Sequence, residues 1–174
     1  KRAVFENAGV LTEDKLVENL KQEFQALCIV NTKKRAQRIY KTLESEGIYH
    51  LSTSMYPKHR KRVLQEIRGR LQENKRCVLV STSLVEAGVD LDFHSVYREL
   101  AGVDSMIQAA GRCNREGIRE AKESKVFIFR FEEKQNVLGQ RQQIDVTKSL
   151  LADGRELSDM ESIAKYFEML YHIK

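Results

Sequence analysis

Short, continuous apolar runs alternate along this chain with longer stretches whose apolar residues recur every three or four positions. Leu16, Val17, Leu20 and Phe24 trace one helical stripe, and Thr12 precedes it as an N-cap with Glu13 and Asp14 in the first turn. Residues 26–31 form a short apolar run, the signature of a strand buried on both faces. Ala36, Ile39, Tyr40 and Leu43 make the next stripe, with Gly47 as its natural stop. Residues 48–52 read as a strand. Pro57, the single proline, suits the first turn of a helix that carries Leu64, Ile67 and Leu71 inward. Residues 76–81 are another buried strand, a loop continues through Gly88, and a further strand is expected around 95–98. Asp104 is placed to cap a short helix bearing Gln108 and Arg112, and 125–131 reads as the final strand. Beyond it the chain turns polar and helical: 134–157 carries no readable period, Ser158 and Glu161 form a capping box, and Ile163, Phe167 and Leu170 stripe the last helix.

Strands alternating with helices predict an α/β fold, here five strands in a parallel sheet with helices on both faces and right-handed crossovers. Residues 1–133 are expected to form that domain, and 134–174 a helical extension packed on it. Ligands of such sheets sit outside the carboxyl ends of the strands. Three polar clusters fall there, at 31–34, 81–92 and 108–115.

Composition narrows the class. With 174 residues, 41% of them hydrophobic, the chain can bury roughly 70% of its unfolded surface as one domain. A charged fraction of 32% and a mean hydropathy of −0.49 give it a solvated exterior. No apolar run approaches the ~20 residues of a membrane span, and no signal peptide is legible. The chain opens at Lys1 and is expected to be a piece of something longer. Cys28, Cys77 and Cys113 are odd in number and lack metal spacing, which argues against a disulfide framework and points to the cytoplasm. Cys28 and Cys77 read as small core residues, and the scattered histidines give no metal site. The net charge of +5 says little by itself, but Lys58, Arg60, Lys61, Arg62, Arg68, Arg70, Lys75 and Arg76 face only Glu66 and Glu73. That run is either a solvated helix face or a surface for an anionic polymer.

The chemistry lies in the three clusters. Arg112 and Arg115, three apart at the end of a helix, project to one side, so two planar guanidinium groups can reach one anion. A departing γ-phosphate is such an anion. Ser81 and Thr82 directly follow a buried strand and can donate to phosphodiester oxygens without adding charge. Gly88 permits close backbone approach, and Asp90 can accept from a ribose hydroxyl or simply cap a turn. Thr32 and Lys33 stand at a helix N-terminus, a ready phosphate site that is equally compatible with plain capping.

In order along the chain, these blocks resemble the second RecA-like domain of a superfamily 2 helicase, the helicase C-terminal domain of the P-loop NTPase fold. CIVNTKKRA (28–36) is similar to its motif IV, VLVSTSLVEAGVDLDF (78–93) to motif V, and QAAGRCNREG (108–117) to motif VI. LSTSMYPKHR (51–60) and ELAGVDSMIQAAGRCNREG (99–117) resemble more closely the CRISPR-associated type I helicase-nuclease, which degrades invader DNA. The likeness spans roughly residues 26–131.

The resemblance implies that Arg115 is the arginine finger on the γ-phosphate, with Arg112 beside it and Gln108 arranging both. It implies that Gly88, Asp90 and Gly111 lie against ATP, and that Thr32, Lys33, Ser81 and Thr82 hold the backbone of single-stranded DNA. ATP and Mg2+ would be held mainly by a preceding RecA-like domain. The sequence has no G-x-x-x-x-G-K-[ST] loop, no Asp-Glu magnesium motif and no His-Asp nuclease pair. The chain alone is therefore expected to be inactive. The implied partners are that ATP-binding domain, the HD nuclease domain of the same enzyme, single-stranded DNA and the CRISPR surveillance complex. Open alternatives are another superfamily 2 DNA or RNA helicase, a non-catalytic nucleic-acid-binding module, and an independent α/β enzyme such as a phosphatase. The last lacks any nucleophile with a placed base.

Overall fold

The computed structural model describes residues 4–52, 54–82, 91–110 and 125–132. In chain order the elements are β1 (Val4–Leu11), α1 (Glu13–Lys21), β2 (Gln25–Ile29), α2 (Lys33–Leu43), β3 (Ile48–Leu51), α3 (Pro57–Gln72), β4 (Cys77–Ser81), β5 (Ser95–Glu99), α4 (Val103–Ala110) and β6 (Lys125–Phe131). Among the described residues the sheet has six strands in the order β1-β6-β5-β2-β4-β3, and every neighbouring pair is parallel.

Period-two alternation along the central strands builds two separate cores. Ala26 and Cys28 of β2 and Val78 and Val80 of β4 point to one face, where Leu16, Leu20, Ala36 and Ile39 of α1 and α2 cover them. Leu27, Cys77 and Leu79 point to the other, against Ile67 of α3 and Ala109 of α4. Helices on both faces are thus borne out. Leu64 and Leu71 flank Ile67 as partly buried neighbours of the second core, the inward face expected of α3. Pro57 opens that helix, and Thr12 and Thr32 cap α1 and α2 with side-chain oxygens that accept from Lys15 and Arg35 N–H.

Four expectations are corrected. Among the described residues the sheet holds six strands and not five, because residues 4–11 form β1 beside β6. Gly9, at φ +73°, interrupts that strand with a register shift after Asn7, whose Oδ1 accepts from Gly9 N–H. The bulge breaks the alternation by which a strand is recognised. Phe24 is not part of the first helical stripe: α1 ends at Lys21, and Phe24 is 45% exposed. Gly47 does not cap α2, which ends at Leu43; it sits in the following turn at φ +86°. Asp104 lies inside the first turn of α4 rather than before it. Cys113 and residues 133–174, with Ser158, Glu161, Ile163, Phe167 and Leu170, lie outside the described residues.

Candidate functional site

The neighbouring strands β2 and β5 hand the chain on in opposite directions. From β2 it crosses through α2 to β3 at one side of the sheet; β5 leads through α4 towards β6 on the other. The two helices also lie on opposite faces, since α2 packs into the first core and α4 into the second. Between the carboxyl ends of such a strand pair a crevice opens, and open α/β sheets bind ligands there. β4, on the other side of β2, ends level with it: Ile29 pairs with both Ser81 and Arg98.

At this edge Thr32 and Lys33 start α2. Lys33 and Lys34 are exposed, and α2 carries no acid in its first turn. Nor does α3, which starts from the same edge with Lys58 and Arg60. Cations at a helix N-terminus oppose the field of the aligned peptide dipoles, which favours anions at that end. α1 shows the ordinary arrangement: Glu13 stands in its first turn, within 3.0 Å of Arg38 Nη2 and 3.7 Å of Arg35 Nε. Arg35 is further occupied by the Phe131 ring, 3.9 Å below its guanidinium carbon. The lysines of α2 therefore add positive charge at a helix end whose peptide dipoles already favour anions.

Ser81 ends β4 and Thr82 follows it, but both are buried. The Ser81 hydroxyl turns inward, towards the carbonyls of Leu51 (3.3 Å) and Thr82 (2.9 Å). It fixes the strand end that the sequence had paired with a phosphodiester. Gln108 is exposed near the end of α4. Gly88, Asp90, Gly111, Arg112 and Arg115 lie outside the described residues.

The structure adds Arg98 and Glu99, which the reading of the sequence passed over, and gives Asn31 a part of its own. Glu99 Oε1 accepts from the Asn31 backbone N–H at 2.9 Å. Asn31 Nδ2 donates to Leu100 O at 3.1 Å, and Arg98 Nη1 donates to Asn31 Oδ1 at 2.8 Å and to Glu99 O at 3.0 Å. Arg98 is 1% exposed and Glu99 7%. The available signal was the Arg-Glu pair that closes β5, since charges that deep are kept only when paired and hydrogen-bonded. Burial lowers Arg98 to about 10, with Glu99 opposing the shift, so it stays cationic at neutral pH. Burial raises Glu99, while Asn31, Arg35 and Arg98 pull it back.

Burial also raises both described cysteines. Cys28 lies well above the ordinary thiol range, and Cys77 is pushed up to about 12. Neither is a nucleophile at neutral pH. Among the described residues no group of histidine, cysteine, aspartate or glutamate could hold a metal ion. The exposed ammonium groups of Lys33 and Lys34 suit phosphate oxygens and do not suit Mg2+. No described helix is long and apolar enough to cross a membrane.

Fold and edge together define a RecA-like parallel α/β domain with exposed lysines at the carboxyl edge of its sheet, next to the switch point. The family model for the C-terminal part of the CRISPR-associated nuclease/helicase Cas3 matches residues 22–118, more than half of the chain, and the chain belongs to that family. It is 26% identical over 151 residues to the CRISPR-associated nuclease/helicase Cas3 of Methanothermobacter thermautotrophicus, a match that takes in 83% of this chain and 18% of that protein. This chain thus spans under a fifth of that relative's length. Its fold is similar to the crystal structure of T. fusca Cas3-ADP, with a TM-score of 0.75 at 21% identity over 98% of this chain and 24% of that one. A chain of a CRISPR RNA-guided surveillance complex in a pre-nicking state aligns with a TM-score of 0.73 at 20% identity, over 95% of this chain and 24% of that one.

Proposed function

We propose that this chain is the C-terminal motor half of an ATP-dependent superfamily 2 DNA helicase acting in CRISPR interference. Residues 1–133 form the motor domain, and 134–174 a helical extension packed on it. The observation that carries this reading is the exposed lysines at the start of α2, beside the switch point of the sheet, in a chain of the Cas3 C-terminal family. The nucleotide in the T. fusca neighbour supports ATP as the fuel. The surveillance-complex neighbour supports that assembly as the recruiting partner.

In this reading a preceding RecA-like domain, next to an HD nuclease domain, binds ATP with its Mg2+, and this domain closes over the triphosphate. Arg115 approaches the γ-phosphate and spreads the charge that develops as the bond to the leaving oxygen lengthens. Arg112 neutralises the neighbouring oxygens, and Gln108 orders the two side chains. Gly88, Asp90 and Gly111 line the nucleotide's side of the cleft. Across the sheet edge, Thr32, Lys33 and Thr82 hold phosphates of single-stranded DNA, with Ser81 bracing the turn behind them. Such contacts ignore base identity and weaken with salt. Closing and reopening of the cleft then advances the strand. Without the ATP-binding domain the chain is silent, because arginines alone position no nucleotide. The free, buried thiols of Cys28 and Cys77 suit a reducing cytoplasm.

In the intact enzyme, Arg115→Ala is expected to lower DNA-stimulated ATP turnover on the order of 10³-fold while single-strand binding persists. Turnover equal to wild type removes the finger.

A further inference from the structure

The two connections that leave the switch point are fastened to each other by side chains and not only by the sheet. Asn31 ends the β2 connection one residue before Thr32, the N-cap of α2. Leu100 opens the β5 connection three residues before α4. Asn31 commits its backbone N–H to Glu99, its side-chain NH2 to Leu100 O and its side-chain oxygen to Arg98. Its backbone N–H and both polar atoms of its side chain are thus spent on the end of β5 and the connection that follows it. Arg98 in turn grips the Glu99 carbonyl, so the latch closes on itself inside the sheet edge. An element of this type is stiff and satisfied in one arrangement only, because each member left without its partner is a buried polar group in a poor medium.

α2 begins with the residues assigned to the DNA strand; α4 carries Gln108 and leads to the arginines assigned to the nucleotide. A displacement of the start of α4 is passed to Thr32 through the bonds to Asn31 rather than through loose packing. We propose that Asn31, held by Arg98 and Glu99, is a positioning residue that couples nucleotide occupancy at α4 to the grip on single-stranded DNA at α2. This inference rests on the motor reading above. Arg98 and Glu99 act through Asn31 and touch neither ligand.

The test uses the intact enzyme, fluorescein-labelled oligo-dT and a non-hydrolysable ATP analogue with Mg2+. The quantity read is the ratio of DNA Kd without and with the analogue. Asn31→Asp keeps size and the Arg98 partner, but removes the donor to Leu100 O and sets a second carboxylate against Glu99. It is expected to bring the ratio to within twofold of one, while nucleotide-free DNA affinity and analogue affinity stay within threefold of wild type. Adding Glu99→Gln to Asn31→Asp removes the repulsion and is expected to recover part of the ratio. Glu99→Gln alone keeps an acceptor for the Asn31 N–H, is the milder variant should Asn31→Asp fail to fold, and is expected to give an intermediate ratio. A wild-type ratio in Asn31→Asp, or in Glu99→Gln where only that variant folds, overturns the coupling role and leaves the motor reading intact. A wild-type enzyme whose DNA affinity ignores the analogue removes the motor reading itself, and the latch with it.

Discussion

His50 illustrates how a single ring records its surroundings. It stands in β3, stacked on Tyr40 with centroids 5.6 Å apart, and its Nε2 is buried without a hydrogen-bond partner among the described residues. Burial lowers its pKa, so the folded chain resists taking up a proton that the unfolded chain accepts at higher pH. Stability is therefore highest above the unfolded value of about 6.5 and falls as pH drops from there towards the folded value. His50→Phe keeps the stacking and removes the titration. Urea unfolding between pH 5 and 8 is expected to show a shallower acid-side loss in His50→Phe than in wild type; equal slopes would place the proton elsewhere. The buried thiols tell a complementary story, since Cys28 and Cys77 behave as small apolar groups and contribute volume rather than reactivity.

At the scale of elements, the joints carry more information than the helices and strands. The turn between α2 and β3 is the sharpest case. Gly47 adopts φ +86°, its carbonyl accepts from Val78 N–H at 2.9 Å, and a Cβ there would stand 2.6 Å from the Arg76 carbonyl oxygen. That carbonyl is also held by Arg70 Nε at 2.8 Å, so it cannot yield without giving up a bond. Gly47→Ala combines a left-handed backbone with a backbone clash and is expected to cost on the order of 1–3 kcal/mol, read as a lowered urea midpoint. A loss within a few tenths of a kcal/mol would mean that the turn relaxes freely. Arg76 ties the same region to α1: its guanidinium donates to the carbonyls of Glu23 and Lys21, at and just past the end of that helix. Two members of the basic run thus serve the fold, and the part left for an anionic polymer is the stretch near the start of α3.

For the whole molecule, the architecture sorts the charges by edge. The amino ends of α2 and α3 bring lysines to the edge where β2, β4 and β5 end, while Arg70 and Arg76 are consumed at the opposite one. A polyanion laid across that edge displaces counterions in proportion to the phosphates it meets. In the intact enzyme, Lys33→Ala is expected to weaken single-stranded DNA binding for all sequences alike and to reduce the slope of log K against log salt by about 0.7. An unchanged slope would take Lys33 off the strand's path.

The order and kind of most elements were legible because each buried strand is a short apolar run and each helix repeats its apolar residues at its own period. Ile39 and Leu43 mark α2, and Leu79 and Val80 mark β4, by their spacing alone, and all four are core residues. The motif wording from Cys28 to Gly117 was equally local, and it carried the family. β1 escaped because its Gly9 bulge breaks the period, and Ser81 pointed inward because a carbonyl of distant Leu51 was within reach. The alliance of Asn31 with Arg98 and Glu99 joins residues 67 and 68 positions apart along the chain. No periodicity encodes such a pairing. It exists because β2 and β5 are neighbours in the sheet, so strand order decided what composition and spacing left open.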